Sequence, residues 1–204
     1  MDWRITMAFD GITIANIVSE LNKTILNGRI YKIAQPEPDE LLLTIKASGT
    51  QYRLLISAGA SLPLIYLTQT NKQSPMAAPN FCMLLRKHIQ NGRIIKISQP
   101  GLERIVRIEI EHLNELGDLC RKALIVEIMG KHSNIIFCDE TDHIIDSIKH
   151  ISAAVSSVRE VLPGRPYFIP HTQEKRNPLD PISAGDFESL IKAQPTTLCR
   201  SLYG

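Results

Sequence analysis

Between Arg86 and Arg107 the chain carries Arg86, Lys87, Arg93, Lys96, Arg104 and Arg107 against a single acid, Glu103. Lys and Arg on neighbouring elements can bind a phosphate backbone, Arg through a planar fork and Lys as a point charge. The same pattern also suits a solvated face that keeps a hairpin soluble. A second polar segment closes one apolar run and opens another: Glu127-Ile128-Met129-Gly130-Lys131-His132-Ser133-Asn134. Gly130 to Ser133 reads as a turn, in which Lys131, His132 and Asn134 offer donors to phosphate, ribose or base. A plain hairpin turn with an exposed His has the same composition. It is not a phosphate-binding P-loop, because Gly130-Lys131 is followed by His132 and the required upstream glycine falls at Ile125. The six histidines form no HExxH, and neither GxSxG nor a paired-carboxylate motif is present. His88 sits on the apolar side of a helical pattern and is expected to pack. No catalytic residue, metal ligand or cofactor site is assigned.

The elements that must position these residues follow from an internal repeat. Asn27-Gly28-Arg29-Ile30-Tyr31-Lys32-Ile33-Ala34-Gln35-Pro36 recurs 64 residues on as Asn91-Gly92-Arg93-Ile94-Ile95-Lys96-Ile97-Ser98-Gln99-Pro100, identical at eight of ten positions. Each copy follows a helical pattern. Ile14, Ile17, Val18, Leu21 and Ile25 make one apolar stripe, with Thr13 as the expected N-cap. Phe81, Leu84, Leu85, His88 and Ile89 make the other, starting near Asn80. Asn-Gly should end both helices, with Gly in the left-handed position. Strands are expected at 29–33, 40–45, 51–57 and 64–67, then at 93–97, 105–111, 122–129, 134–138 and 144–151. Short strands with only two long helices predict an α+β domain, an antiparallel β-sandwich flanked by helices. Five prolines between 163 and 181 mark a connector. Residues 186–193 read as helical, and Pro195-Thr196 as a further helix start at which the chain stops short.

With 204 residues, 44% hydrophobic and 22% charged, the chain can bury a sizeable core. Its net charge of +2 means that any basic surface must be local. Cysteines at 82, 120, 138 and 199 match neither a zinc ribbon nor a disulfide framework and suggest a reducing compartment. Residues 1–6 contain no apolar signal region, and the uncharged stretch 54–71 is broken by Ser57, Gly59, Ser61 and Pro63. A soluble cytoplasmic protein without a membrane partner is expected, with Met7 as the natural start.

Several separated motifs resemble one family, the NFACT-N domain. They are Met7-Ala8-Phe9-Asp10-Gly11, Phe81–His88, Gly101-Leu102-Glu103-Arg104-Ile105, Leu124–Asn134, Asp146-Ser147-Ile148-Lys149-His150 and Leu162-Pro163-Gly164-Arg165-Pro166-Tyr167. The likeness covers residues 7–178, and 179–204 resembles the truncated start of the family's helix-hairpin-helix region. It implies a ribosome quality control factor. Such proteins bind large (50S) ribosomal subunits obstructed by a stalled peptidyl-tRNA and recruit alanyl-tRNA, and the subunit then adds an untemplated alanine tail. The factor is a recruiter and not an enzyme. The resemblance carries tRNA handling onto Glu103, Arg104, Glu127, Ile128 and Met129, with Glu103 standing where the family usually has Asp. Arg86, Lys87, Lys131, His132 and Asn134 are the further possible RNA contacts. The family's older label implies an alternative, a surface adhesin for the extracellular-matrix proteins fibronectin or fibrinogen. The domain is also similar in fold to the N-terminal domain of formamidopyrimidine-DNA glycosylases, which implies a second alternative in DNA repair. Those enzymes use an N-terminal proline amine followed by a glutamate, and Ala8-Phe9 supplies neither.

Overall fold

A computed structural model describes residues 9–156, 158–169 and 183–192. Two long helices and nine strands run in the order α1 (Gly11–Ile25), β1 (Arg29–Glu37), β2 (Glu40–Ala47), β3 (Thr50–Ser57), β4 (Leu64–Leu67), α2 (Asn80–Ile89), β5 (Arg93–Ser98), β6 (Ile105–Leu113), β7 (Leu119–Glu127), β8 (Asn134–Cys138) and β9 (Ile144–Ser147). Among the described residues the expected helices and strands are present, most within two residues of their expected ends; β1 runs on to Glu37, β7 starts three residues early, and β9 ends at Ser147 instead of 151. The chain divides after residue 170 into two compact units. In the second, α3 (Ala184–Lys192) starts two residues before the expected helix, and the Ser183 hydroxyl accepts from the Asp186 N–H at 3.1 Å as an N-cap. Met7 and Pro195-Thr196 lie outside the described residues.

The architecture is α+β, but the strands form one hydrogen-bonded sheet rather than two separate ones. Its order is β4-β3-β2-β1-β5-β6-β7-β8-β9, antiparallel throughout. Two meanders therefore meet at β1 and β5, and the join in strand register is the single pair Arg29↔Arg93. Around it the two copies of the repeat exchange hydrogen bonds reciprocally. Asn27 N–H donates to the Ile94 carbonyl and Ile94 N–H to that of Gly28, both at 2.9 Å. Asn91 N–H donates to the Ile30 carbonyl at 2.7 Å, and Ile30 N–H to that of Gly92 at 3.0 Å. Both strands then bulge at the same repeat position, between Ile30 and Lys32 and between Ile94 and Lys96. The repeat is thus a pseudo-two-fold axis written into the sequence.

The Asn-Gly pairs end both helices, with the roles of the two residues exchanged. The left-handed residues are Asn27 (φ 64°) and Asn91 (φ 67°). The glycines are required by close approach: a Cβ on Gly28 or on Gly92 would lie 2.7 Å from Cγ2 of Ile45 or of Ile110. Helix α1 is capped not by Thr13 but by Asp10, whose carboxylate accepts from the Thr13 N–H at 2.7 Å. That bond holds the Asp10 carboxyl below the usual carboxylate range.

Each helix packs across the join, α1 on β5 and α2 on β1. One hydrophobic cluster therefore draws on both halves: Ile14, Leu21 and Ile25 of α1, Phe81, Leu85 and Ile89 of α2, Ile30, Ile45 and Ile56 of the first meander, and Ile94, Ile110, Leu124 and Phe137 of the second. Fully burying each such side chain contributes about 1.5–3 kcal/mol. His88 packs as expected, its ring 6.1 Å from that of Phe137, and burial lowers its pKa. Lys149, just beyond β9, donates to the carbonyls of Ala58, just beyond β3, and of Ser133. The two ends of the sheet are tied by that ammonium.

The second meander is covered on its other face as well. Ile105, Ala123, Ile125, Ile136, Cys138 and Ile144 pack beneath Val161, with Ile151, Tyr167 and Ile169 around them. Residues 151–156 and 158–169 thus form a strap over β6–β9. Burial there pushes the Cys138 thiol up to about 12.

Candidate functional site

Three of the motifs quoted above converge at one end of β6 and β7. Pairing of these strands sets Ile105 opposite Glu127, and the Ile128 N–H continues the ladder by donating to the Arg104 carbonyl at 2.8 Å. The start of α1 joins them. Gly11 is backed so closely by the turn before β6 that an added Cβ would lie 2.2 Å from the Leu102 carbonyl oxygen. The Gln99 amide donates to the carbonyls of Gly11 and Glu103, both at 2.8 Å, and so fixes the turn to the helix. Arg104 is held at this junction by backbone bonds while its side chain is exposed.

The basic stretch that surrounds Arg104 in sequence is not a bare basic patch in space. Arg93 pairs with Glu111 at 2.7 Å, Lys96 with Glu109 at 3.2 Å, Arg107 with Asp142 at 2.7 Å, and Lys87 with Glu115 at 3.2 Å. Arg86 donates its Nε–H to the Ile33 carbonyl at 2.9 Å. The acids come from β6, from the turn after it and from the turn before β9, so charge counted along one segment misses them. Of the six cations, Arg104 alone has no hydrogen-bonded or ionic side-chain partner among the described residues. Glu103 beside it is exposed.

Glu127 faces the strap, not solvent. Its side chain is 0% exposed, Arg159 donates Nη2–H to Oε2, and the Tyr167 hydroxyl donates to Oε1 at 3.0 Å. Arg159 also donates to the Phe168 carbonyl at 2.6 Å and stacks over the Tyr167 ring at 5.4 Å. Burial and the neighbouring Glu127 charge push the Tyr167 hydroxyl far above its usual range. The geometry gives Glu127 the role of orienting a cation, Arg159. Ile128 lies in the main core, and Met129 packs against the cluster under the strap.

Residues Gly130–His132 form the expected turn, closed by the Met129 N–H donating to the Ser133 hydroxyl at 2.8 Å. Lys131 and His132 are exposed on it. Asn134 is not available as a contact: it is buried, its amide donates to the Lys149 carbonyl at 2.9 Å, and its Oδ1 accepts from the N–H groups of Ile135 and Lys149. The exposed set at this end is therefore Glu103, Arg104, Lys131 and His132, with Glu127 and Asn134 as buried supports.

Arg159, Tyr167, Gln99 and Gly11 are the site's positioning residues that side-chain chemistry did not pick out. Gly11 and Tyr167 stand in the quoted motifs and Gln99 in the repeat, whereas Arg159 lies in irregular chain with no periodic signal. Tyr167 also lines a pocket of about 240 Å³ with Pro100, Ile105, Arg107, Asp142 and Phe168. That is below the usual size of a small-molecule site, about 300–1,000 Å³. Among the described residues no three His, Cys, Asp or Glu side chains are grouped to hold a metal ion, and no helix is long and apolar enough to cross a membrane.

The site is thus an exposed Arg at one strand end of an α+β, antiparallel sheet whose halves are related by a pseudo-two-fold. The family model described as NFACT N-terminal and middle domains matches residues 10–204, and the chain belongs to that family. Over 175 residues it is 45% identical to the Rqc2 homolog RqcH of Bacillus subtilis (strain 168), a match covering 85% of this chain and 31% of that protein. A more distant relative is the human ribosome quality control complex subunit NEMF, 24% identical over 131 residues, which are 64% of this chain and 11% of that one. Among solved structures, the N-terminal domain of fibronectin-binding protein PavA from Streptococcus pneumoniae superposes with a TM-score of 0.86 at 38% identity, covering 96% of this chain and 72% of that one. The chain thus spans about a third of the Bacillus subtilis relative.

Proposed function

We propose that this chain is the tRNA-handling part of a ribosome quality control factor, acting on large ribosomal subunits that hold a stalled peptidyl-tRNA. It recruits alanyl-tRNA for untemplated alanine tailing and makes no bond itself, so it is not an enzyme. The observation that carries this reading is Arg104: exposed, without an ion-pair partner among the described residues, and placed where the start of α1, the Gly101–Arg104 turn and the end of β7 meet. A guanidinium so placed can grip a phosphate bidentately or stack on an unpaired base. Lys131 and His132 extend the same end. The name of the human relative, a ribosome quality control complex subunit, supports the ribosomal setting.

In the full-length protein Arg104→Ala should abolish alanine tailing and tRNA co-purification. The melting temperature should stay within a few degrees, because an exposed side chain contributes only about 0–1 kcal/mol. Tailing by a well-folded variant would refute the assignment. The PavA likeness favours a second reading, adhesion to fibronectin. Under it, fibronectin binding would persist in purified protein stripped of ribosomes, and 50S subunits and tRNA would not co-purify from lysate.

A further inference from the structure

Of the eight identical positions of the repeat, turn and core account for four, while an Arg and a Lys put charge on the surface. Asn27 and Asn91 make the left-handed turn, Gly28 and Gly92 allow close approach, and Ile30, Ile33, Ile94 and Ile97 fill the core. Arg29 and Arg93, and Lys32 and Lys96, are exposed on the opposite face of the sheet. The pseudo-two-fold places them in one stripe along the join of β1 and β5, with Arg29 directly opposite Arg93.

The two halves of this stripe differ in one respect. Across from Arg93 and Lys96 on β6 stand Glu111 and Glu109, and both cations are paired. The equivalent partners of Arg29 and Lys32 on β2 are Lys46 and Thr44. The first half thus carries Arg29, Lys32 and Lys46, with Arg53 next to Thr44 on β3, and none of the four has an ion pair among the described residues. Arg29 has a like charge directly across both of its neighbouring strands, an arrangement that is destabilising by itself. Tyr31 stands out on the bulge, 52% exposed, with the Lys46 ammonium 3.8 Å from its ring centre.

We propose that this face of β1–β3 is a second binding site, for an RNA phosphate backbone, separate from the Arg104 end and independent of the reading given for it. Neighbouring strands set the cations about 4.8 Å apart across the sheet, close enough for several to act on one run of phosphates. Arg supplies forks and Tyr31 a ring on which a base or ribose can rest. Among the described residues of β1–β3 no large apolar side chain besides Tyr31 is exposed. The face therefore has nothing to insert into a lipid surface and no apolar anchor for a peptide. Recognition would be electrostatic and indifferent to base sequence.

Lys46→Glu in the full-length protein restores the charge pattern of the other half and is the discriminating variant. Its binding to a short labelled RNA duplex should weaken about tenfold or more, and the slope of log affinity against log salt should fall by about one or more. Its melting temperature should hold or rise, because a repulsive cross-strand pair becomes attractive. Lys32→Gln should lower the salt slope without a charge reversal. Unchanged RNA affinity and slope in both variants would overturn the proposal. So would an equal loss of binding to poly-glutamate or to phosphatidylserine vesicles, which would assign the face to acidic protein or membrane. Arg104→Ala measured in parallel separates the two sites. If that variant still tails nascent chains while Lys46→Glu loses duplex RNA, the Arg104 assignment fails and this one stands.

Discussion

Glu127 shows how one residue's neighbours decide its chemistry. Strand alternation in β7 sends Leu124 and Val126 to the main core and Ala123, Ile125 and Glu127 to the other face. On an uncovered sheet that face would be wet. The strap makes it dry, so the carboxylate is tolerable only with Arg159 and Tyr167 attached. Removing one partner leaves a buried charge alone. Arg159→Met should therefore cost about 3–5 kcal/mol, whereas replacing Glu127 and Arg159 together by Met should recover most of that loss. Urea denaturation of the single and double variants measures both. A loss below 1 kcal/mol for Arg159→Met would show that the pair is solvated. By the same logic an RNA-binding defect in a Glu127 variant should be matched by Arg159→Met, since both release the strap from the strand end that carries Arg104.

At the scale of elements, the repeat and the apolar periods were the legible part. Stripes at Ile14–Ile25 and Phe81–Ile89 gave the helices, and runs between turn residues gave the strands. Three things were not legible. Asp10 and Thr13 both stand where a cap can stand, and only the bond between them identifies Asp10 as the cap. Asn-Gly marks a helix end without saying which residue takes the positive φ. Two meanders can face each other as separate sheets or join edge to edge, and only the backbone bonds between residues 27–30 and 91–94 distinguish these. The site was readable as motifs but not as burial, because Glu127 and Asn134 are covered by distant chain. The exchange of Asn and Gly roles has a direct test. Gly28→Ala and Gly92→Ala should each destabilise by about 1–3 kcal/mol through crowding of Ile45 and Ile110. Asn27→Ala and Asn91→Ala should each cost about 1–2 kcal/mol, and Asn→Gly at either site should be near neutral. If Gly28→Ala is harmless and Asn27→Gly is not, the roles are as first expected from sequence.

At the scale of the whole first unit, the join between the meanders is narrow in hydrogen bonds and wide in packing. Only a few backbone bonds cross it, yet α1 lies on β5 and α2 on β1, and one core cluster spans both sides. The halves should open together. Amide exchange at Ile30 and Ile94 should match the slowest amides at the centres of β6 and β7 and share their denaturant dependence. Faster, denaturant-independent exchange at those two amides would show that the join frays by itself.

The reciprocal bonds at the join bear on how charge is distributed about it. A residue facing its own equivalent across a two-fold is the signature of an isologous contact between identical subunits. Arg29 facing Arg93, with each helix laid on the other half's first strand, is the geometry a swapped homodimer would have, here within one chain. Within one chain the two copies need not match: one faces Glu109 and Glu111, the other Thr44 and Lys46. A symmetric pair of identical chains would have to carry the same charge on both sides of its axis. The single chain carries two different ones, an asymmetry that two identical subunits could not have.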